Sequence, residues 1–311
     1  MRRAPAEPLV SVCLPVRNGE RRLAEVIRSV LSQDHPHLEL VISDNASTDG
    51  TEEICRELAR HDDRIVYHRQ RDGVRLLDNF VAAMRRARGV YLRWIGDGDT
   101  LHPAYVSRCV AAFAEDERRV LVTTQICYVS PDGTTRTGTY DGTGLASADP
   151  SVRFAEILRL LNESYLVIDP LYGMMRRATV AALPRVNSYR EDQLLAARLA
   201  LAGPWGHIPE PLAWRVRDDS ERPREVARKL GLPTWQVYVS TVLLCRDLLR
   251  HVADSDLGAA GRRRARAQVA RFYLRRHRLV AARRLGRLRR LLGSARPVRG
   301  PVVRPPSARP R

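Results

Sequence analysis

Two apolar segments that each run into an acidic, glycine-containing turn restrict the fold of this chain more than any other feature. Residues 38–43 lead into Asp44, and residues 89–95 lead into Asp97 and Asp99. Nearly continuous apolar runs of this length are typical of strands in a parallel sheet, whose two faces are both covered. Either turn alone could be ordinary turn chemistry, since Asp and Gly favour turns. Together they predict a polar site, because ligands of open α/β sheets bind at the carboxyl ends of the strands.

Strand-like and helix-like segments alternate along the first part of the chain. Apolar runs predict five strands, and apolar residues at helical spacing between them predict the intervening helices. The predicted strands are residues 9–16, 38–44, 64–68, 89–95 and 120–124. This order predicts an α/β fold with a central, mostly parallel sheet flanked by helices.

The alternation stops after these strands, and the pattern becomes irregular. Turn-rich residues 130–144 predict a hairpin or a mobile loop. Two short strands separated by prolines are predicted at residues 206–208 and 212–216, and the pattern is helical from residue 222 onward. We therefore predict a main domain, a helical C-terminal extension and a Pro- and Arg-rich disordered tail, at residues 1–220, 221–293 and 294–311.

Several classes of site are missing from the sequence. The chain has neither the glycine-rich dinucleotide motif after its first strand nor a P-loop. Its five cysteines are scattered, which argues against a zinc site or a disulfide framework and indicates a reducing compartment. No run approaches the roughly 20 apolar residues of a membrane-spanning helix. We therefore expect a cytoplasmic protein in which a cation on Asp99 holds the phosphates of a ligand.

The net charge of +18 belongs to the C-terminal part of the chain. After Asp256 come 18 of the 53 Lys and Arg residues and none of the 35 Asp and Glu residues, so the rest of the chain is close to neutral. Between residues 262 and 292, apolar residues recur every three or four positions among arginines. This predicts a basic amphipathic helix that either lies on an anionic membrane surface, here the inner face of the plasma membrane, or packs on its own domain.

Several separated motifs resemble the nucleotide-binding half of family 2 glycosyltransferases, which have the GT-A fold. The resemblance covers about residues 9–217, and its motifs are residues 10–19, 43–51, 89–103, 172–177, 191–192 and 208–212. It implies an inverting, hexosyltransferase-like enzyme with a UDP-, dTDP- or GDP-sugar donor. The implied acceptor is a hydroxyl of a cell-surface glycan, a lipid-linked sugar or a small molecule, and the implied process is polysaccharide biosynthesis.

The same resemblance implies roles for individual residues. Asp97 and Asp99 match the metal-binding position of the family, which implies a divalent cation, Mg²⁺ or Mn²⁺, that bridges the diphosphate. Gly98 stands where many relatives have the first of two adjacent acids, so Asp97 would replace that acid one residue earlier. Arg215 and Arg217 are further candidates to reach the diphosphate. The implied sugar-nucleotide contacts are Pro15, Val16, Arg17, Asn18, Asp44, Asn79 and Asp97.

Asp192, with Glu191 beside it, is the catalytic base that the resemblance implies. An acceptor hydroxyl has a high pKa, so a carboxylate must take its proton as the new bond forms. A helix start lowers the pKa of a carboxylate, whereas burial and a second carboxylate raise it. The alternative for this pair is that both acids only complement the helix N-terminus.

Two other functions stay open at this point. Gly98 keeps open an inactive relative that binds a nucleotide sugar without turnover, although Asp97, Asp99 and Asp192 speak against it. The basic C-terminal part suggests a nucleic-acid-binding protein. Against this second alternative, the rest of the chain is near neutral and only 6% of the residues are aromatic, which leaves few side chains for base stacking.

Overall fold

The alternation of strands and helices predicted for the first part of the chain is confirmed. The structure is a computed structural model that describes residues 7–163, 167–216 and 222–292. Each of the first three strands is followed by a helix that returns the chain to the same end of the sheet. The elements are β1 (Val10–Val16), α1 (Leu23–Leu31), β2 (Leu38–Asp44), α2 (Thr51–His61), β3 (Ile65–Arg69), α3 (Leu76–Arg86) and β4 (Tyr91–Trp94).

The second part of the chain has shorter strands and more helices. The strands are β5 (Thr100–Leu101), β6 (Leu121–Val129), β7 (Thr135–Arg136), β8 (Met174–Arg176) and β9 (Trp205–Val216). Short 3₁₀ turns occur at Gly144–Ala146 and Pro170–Tyr172. The helices are α4 (Tyr105–Glu115), α5 (Pro150–Leu160), α6 (Arg177–Ala182), α7 (Glu191–Ala202), α8 (Pro223–Lys229), α9 (Trp235–Tyr238), α10 (Ser240–Ala253) and α11 (Ala259–Leu292).

The described strands join one mixed sheet in the order β3-β2-β1-β4-β8-β6-β9-β5, with β7 paired to β6. The pairs among β1, β2, β3 and β4 are parallel, as predicted. The short β8 lies antiparallel between β4 and β6 and so joins the two halves of the sheet. The predicted α/β class is therefore confirmed, and the sheet mixes parallel with antiparallel pairs. The hairpin predicted within residues 130–144 is the β6–β7 pair.

One long strand replaces the two short ones predicted near the prolines. β9 pairs with β6 along its whole length, and the register shifts where Gln125 lies opposite Pro211. Proline has no backbone N–H to donate to the ladder, so a bulge is needed at this point. The prediction of two strands was wrong because β6 is long enough to continue the pairing past the bulge.

Apolar side chains cover both faces of the sheet. On one face, Trp94, Phe154 and Leu195 belong to a buried cluster contributed by α3, α5, α7, α10 and the start of α11. On the other face, Ile27 and Phe113 belong to a cluster that includes α1 and α4. The apolar runs of the central strands therefore reflect burial on both sides, as expected for parallel strands.

The long helix α11 is shared between two compact units of the chain, one ending at Tyr273 and the other beginning at Leu274. In the first unit, Ala265, Val269 and Phe272 are buried in the core. The domain boundaries predicted from the sequence stay predictions, and the predicted tail at residues 294–311 lies outside the described residues. Among the described residues, no helix combines the length and apolar character needed to cross a membrane.

Candidate active site

The carboxyl ends of β1, β2 and β4 lie at one edge of the sheet. Val16 lies opposite Asp44 in the β1–β2 register, and β4 pairs with the other side of β1. A Cβ atom added at Gly19 would lie 3.4 Å from a carboxylate oxygen of Asp97, so the turn after β1 adjoins the turn after β4. The structure therefore brings together the two acidic turns from which the sequence predicted a polar site.

Asp44 is fully buried, and both of its carboxylate oxygens accept hydrogen bonds. Ser47 donates to Oδ1 from its backbone N–H at 2.9 Å, and Tyr67 and Arg69 donate to Oδ2 at 2.8 and 2.9 Å. Burial opposes ionisation, but these hydrogen bonds outweigh it and hold the pKa of Asp44 below its usual value. Asp44 thus fixes the turn after β2, and its contact with a nucleotide base stays a prediction.

The turn after β1 combines buried and exposed candidates. Pro15 and Val16 are buried, whereas Arg17 and Asn18 are exposed. Asn18 has a backbone φ of 56°, a left-handed conformation that Asn adopts more readily than most residues. Its Oδ1 accepts a hydrogen bond from the backbone N–H of Thr48 at 2.8 Å, which ties this turn to the one after β2. The exposed Arg17 and Asn18 are the members of this segment that solution can reach.

Asn79 anchors α3 to the end of β2. Its Nδ2 donates to the backbone oxygen of Ser43 at 2.9 Å, and its Oδ1 accepts from the Ser43 hydroxyl at 2.8 Å. The side chain is only 2% exposed. The amide therefore holds the helix against the sheet edge, and a direct contact with the donor stays a prediction.

Asp99 is held rigidly within the turn that follows β4. It is 2% exposed, and its Oδ2 accepts hydrogen bonds from the Gly96 backbone N–H and from Arg215 Nε, both at 3.1 Å. The carboxylate therefore has a fixed orientation before any ligand arrives.

Asp97 is the open member of the acidic pair. Its side chain is exposed, yet the protein around it removes enough solvent to raise its pKa. The cation of Arg22 opposes this rise, while the charges of Asp99 and Asp49 add to it. Gly98 between the two acids has a φ of 104°, and a Cβ atom there would lie 3.0 Å from Arg22 Cδ. An acid at position 98 would therefore be strained and crowded.

The acidic pair offers the hard oxygen ligands that Mg²⁺ and Mn²⁺ take in proteins. Asp99 is oriented by its two donors, and Asp97 is open to solution. Among the described residues, no group of three or more His, Cys, Asp or Glu side chains could hold a metal ion. A cation held by this pair would therefore need further ligands besides the described His, Cys, Asp and Glu side chains.

Arg215 contacts both Asp99, in the turn after β4, and Asp169, just before the 3₁₀ turn at Pro170–Tyr172. Its Nη1 donates to Asp169 Oδ2 while its Nε donates to Asp99, and its guanidinium carbon lies 3.4 Å from the centre of the Tyr172 ring. Burial alone would lower the pKa of Arg215, but Tyr172, Asp169 and Asp99 raise it. The structure shows Arg215 paired with two protein carboxylates, and its contact with a diphosphate stays a prediction. The other candidate, Arg217, lies outside the described residues.

Asp169 is the site residue that the sequence reasoning missed. It immediately precedes the 3₁₀ turn at Pro170–Tyr172, next to one of the motifs on which the family resemblance rests. That adjacency was the available signal, but an isolated Asp before a Pro is also typical of ordinary turn chemistry.

Glu191 and Asp192 begin α7, as predicted, but they differ in their partners. Arg185 donates to both carboxylate oxygens of Glu191, and both side chains are about nine-tenths buried. Asp192 is exposed on the wall of a concave pocket. The protein around the pocket removes solvent from the carboxyl of Asp192, and this loss of solvent, followed by the charge of Asp169, raises its pKa to about 6. The two acids are therefore not equivalent.

The pocket beside Asp192 has a volume of about 270 Å³. It lies between α3, the 3₁₀ turn at Pro170–Tyr172, the start of α7 and α8. Half of its lining residues are apolar and most of its exposed surface is apolar, and Asp192 is a lining carboxylate that Arg185 does not hold. This arrangement places a basic oxygen next to a space that a small group can enter.

Comparison with known families assigns the chain. The family model described as "Glycosyl transferase family 2" matches residues 11–182, which is more than half of the chain. The chain belongs to glycosyl transferase family 2. This match confirms the family resemblance of the sequence motifs. It also confirms the prediction that the protein is an enzyme.

Relatives named as glycosyltransferases support this assignment. EpsE of Bacillus subtilis (strain 168) is 31% identical over 226 residues, which cover 69% of this chain and 74% of EpsE. TuaG of the same strain, named for teichuronic acid biosynthesis, is 38% identical over 95 residues, or 30% of this chain and 37% of TuaG. The chain thus spans little more than a third of TuaG, so the activity and substrates of the whole protein are addressed below as proposals.

Solved structures share the fold. Residues 1–349 of S. aureus TarS in complex with UDP give a TM-score of 0.60 at 17% identity, covering 84% of this chain and 70% of that chain. The mannosyltransferase PcManGT from Pyrobaculum calidifontis, in complex with GDP-Man and Mn²⁺, gives 0.51 at 15% identity, covering 92% and 81%. This likeness confirms the predicted GT-A type fold.

Proposed function

We propose that this family 2 member is an inverting glycosyltransferase that moves a sugar from a nucleoside diphosphate sugar to an acceptor hydroxyl. The observation that carries the proposal is the contrast between Asp192 and Glu191. Arg185 fixes Glu191 as a structural anion, while Asp192 lines a pocket with a pKa of about 6. Of these two adjacent carboxylates, only Asp192 is open to the pocket and can accept a proton from a ligand there, as a general base requires.

Asp192 serves as the general base. At neutral pH a carboxyl with a pKa near 6 is mostly ionised, yet it is a stronger base than an ordinary aspartate. It takes the proton of the acceptor hydroxyl while the hydroxyl oxygen bonds to the anomeric carbon. Asp169 sustains this basicity through its negative charge, and Arg215 holds Asp169 in place.

Asp97 and Asp99 would act on the leaving group, the nucleoside diphosphate. A divalent cation bound by these acids would stabilise, as a Lewis acid, the negative charge that develops on the nucleoside diphosphate. The protein's contribution is to orient Asp99 through Gly96 and Arg215 before the donor binds. The UDP and GDP-Man complexes of structural neighbours support a nucleotide-sugar donor, and the Mn²⁺ of PcManGT supports a cation.

Inversion follows from the separation of these two roles. Asp192 lies at the start of α7 and the acidic pair lies in the turn after β4, and Asp169 and Arg215 connect the two. A base on the acceptor side and a separate site for the diphosphate suit a single in-line displacement, which inverts the anomeric carbon. Retention would require a nucleophile on the donor side, a role for which the acidic pair is unsuited while it holds a cation.

A donor screen followed by product analysis tests the proposal. The full chain is heated with UDP-, GDP- and dTDP-sugars, with and without Mn²⁺, and a bound donor should raise the melting temperature by mass action. NMR of the product then reports the anomeric configuration. The proposal fails if no sugar nucleotide binds, if the acceptor product retains its configuration, or if turnover is unaffected by removal of divalent cations.

We also propose that α11 contacts an anionic membrane surface. Arg263, Arg264, Arg266 and Arg271 are exposed on the part of this helix that belongs to the first unit. Clustered cations near a bilayer each contribute about 1 kcal/mol of attraction to anionic lipids. This surface would bring the active site close to acceptors held in or on the membrane.

A further inference from the structure

The pocket beside Asp192 is lined by aliphatic and aromatic side chains from three separate elements. Leu76, Leu77 and Phe80 come from α3, Leu171 from the 3₁₀ turn, and Val226 and Leu230 from α8 and the residue after it. Val226 and Leu230 lie outside the residues matched by the family model, so the side of the pocket formed by α8 comes from the C-terminal part of the chain.

We infer that this pocket is the acceptor subsite and that it takes a small alcohol or phenol whose apolar body lies directly next to the reacting hydroxyl. The inference rests on the proposed role of Asp192 as the base. In the transfer, the hydroxyl oxygen bonds to the anomeric carbon as the bond from that carbon to the diphosphate breaks. The hydroxyl proton goes to Asp192, and the nucleoside diphosphate leaves.

The lining decides between an apolar acceptor and a sugar acceptor. A sugar ring carries hydroxyls all around it, and each one that is buried without a partner costs free energy. Six of the twelve lining residues are polar, but Arg185 and Glu191 among them pair with each other, and the surface that the pocket exposes is mostly apolar. In a lipid-linked sugar the reacting hydroxyl is on the sugar, so the sugar and not the lipid would have to occupy this apolar space. The lining therefore favours an apolar acceptor without a sugar over a free sugar and over a lipid-linked sugar.

Two polar residues in the wall of this pocket each have one side-chain atom without a hydrogen-bond partner, and a ligand whose polar group reached either atom would gain a hydrogen bond. Arg185 Nη1 and Asn187 Oδ1 are buried and have no hydrogen-bond partner among the described residues. Arg185 itself is 8% exposed and is fixed by Glu191, while Asn187 is fixed through its Nδ2, which donates to the Leu230 backbone oxygen at 3.1 Å. Leaving a buried polar atom unpaired costs about 1–3 kcal/mol. A polar group on an otherwise apolar ligand would recover this cost, as in most small-molecule pockets.

Binding of a simple apolar phenol to the full chain tests the inference. The probe is 2-naphthol, measured by isothermal titration calorimetry, with methyl glucoside as the sugar comparison. Val226→Trp should fill the pocket and weaken 2-naphthol binding by about tenfold or more, since even one methylene changes affinity in a tight apolar pocket by such factors. Val242→Trp is the matched control, because Val242 lies on α10 and is 50% exposed.

Leu76→Gln provides a second variant in case Val226→Trp fails to fold. Leu76 is 41% exposed, so a polar side chain can be accommodated there while the lining becomes less apolar. Weaker 2-naphthol binding in both pocket variants, with Val242→Trp unchanged, supports the inference. Equal binding in all variants overturns it, as does a wild-type protein that binds methyl glucoside but not 2-naphthol.

Donor binding separates this inference from the proposed function. The same variants are screened for a rise in melting temperature with sugar nucleotides. If donors bind and methyl glucoside alone accelerates the release of nucleoside diphosphate, the enzyme assignment stands and the apolar acceptor is wrong. If no donor binds to the wild-type protein, the proposed function itself fails, and 2-naphthol binding then reports only on the pocket.

Discussion

At the scale of single residues, the start of α7 has one carboxylate that is held by an arginine and one that faces a pocket. Glu191 receives two hydrogen bonds from Arg185, whose guanidinium lies 5.2 Å from the centre of the buried Trp94 ring. Asp192 instead faces the pocket and the charge of Asp169. The two acids are adjacent in sequence but have different partners, and substitutions can test which of them reacts.

We expect Asp192→Asn to lower kcat by about 10²–10⁴-fold, because it removes the proton acceptor while preserving the shape of the side chain. Donor affinity should stay unchanged, since Asp192 contacts the acceptor and not the diphosphate. Glu191→Gln should instead lower stability, by up to about 3–5 kcal/mol, because Arg185 loses its buried counter-charge. Turnover rates, donor titrations and urea unfolding of both variants measure these effects. Loss of turnover in a stable Glu191→Gln protein, with an active Asp192→Asn protein, would make Glu191 the base.

The pH dependence of catalysis should report the raised pKa of Asp192. Only the ionised carboxylate accepts a proton, so kcat/KM should fall tenfold per pH unit below about pH 6 and level off above it. Asp169→Asn should move this acidic limb to lower pH, because the charge of Asp169 helps to raise the pKa of Asp192. The exposed Asp132→Asn in the β6–β7 turn is the control and should leave the limb in place. A limb that stays near pH 6 in Asp169→Asn would contradict this coupling.

At the scale of elements, the turn between β4 and β5 is built for glycine. Gly98 has a φ of 104°, and its neighbour across the turn is the side chain of Arg22, at the N-cap of α1. Gly133 in the β6–β7 turn has a φ of 79°, but no atom lies within 4 Å of a Cβ added there. The two glycines thus share the backbone requirement and differ in crowding.

We expect Gly98→Ala to be more destabilising than Gly133→Ala. Both substitutions place a Cβ in a left-handed backbone, at a cost of roughly 1–2 kcal/mol. Only the first also meets Arg22, with a separation of 3.0 Å from Cδ. Adding Arg22→Ala to Gly98→Ala should recover the difference, and urea unfolding of the three proteins measures it. Equal losses for the two glycines, or no recovery in the double variant, would show that crowding by Arg22 does not matter.

At the scale of the whole molecule, the first part of α11 belongs to the core of the first unit. This part buries Ala265, Val269 and Phe272 in the core, and Gln268 donates to the Ser151 backbone oxygen at 3.1 Å. The sequence pattern placed the apolar face on other residues, among them Ala270, which is exposed. The start of the helix is therefore part of the fold, and the unit that begins at Leu274 is a separate body.

Two truncations should separate the structural role of α11 from its proposed membrane contact. A chain ending at residue 273 should keep its melting temperature within a few degrees and bind phosphatidylglycerol vesicles more weakly at low salt, because it loses arginines. A chain ending at residue 257 should be strongly destabilised, since the loss of Phe272 alone is expected to cost about 3–5 kcal/mol. Thermal unfolding and vesicle co-sedimentation measure both. Equal vesicle binding by the full chain and by residues 1–273 would show that the arginines after residue 273 add nothing. Vesicle binding that does not weaken from low to high salt would rule out the electrostatic membrane contact.

Much of the fold was determined by local sequence. Apolar runs and helical spacing located the first four strands and their helices, because burial on both faces of a sheet leaves a pattern within each segment. The acidic turns after Asp44 and before Thr100 were predicted to form one site because the ends of neighbouring parallel strands lie together at one edge of the sheet. The motifs at these strand ends were also specific enough to indicate the family, which the match over residues 11–182 confirms.

The tertiary structure decided which side chains pair across the site. The contacts of Arg215 with Asp99 and Asp169, and of Arg185 with Glu191, join segments whose sequences carry no mark of one another. The apolar pocket likewise depends on α3 and α8, which are far apart in the chain. Such pairings follow from how whole elements pack, so periodicity and motif spacing within a single segment could not reveal them. For this reason the sequence determined the fold and the candidate acids, and packing alone determined which acid is free to react.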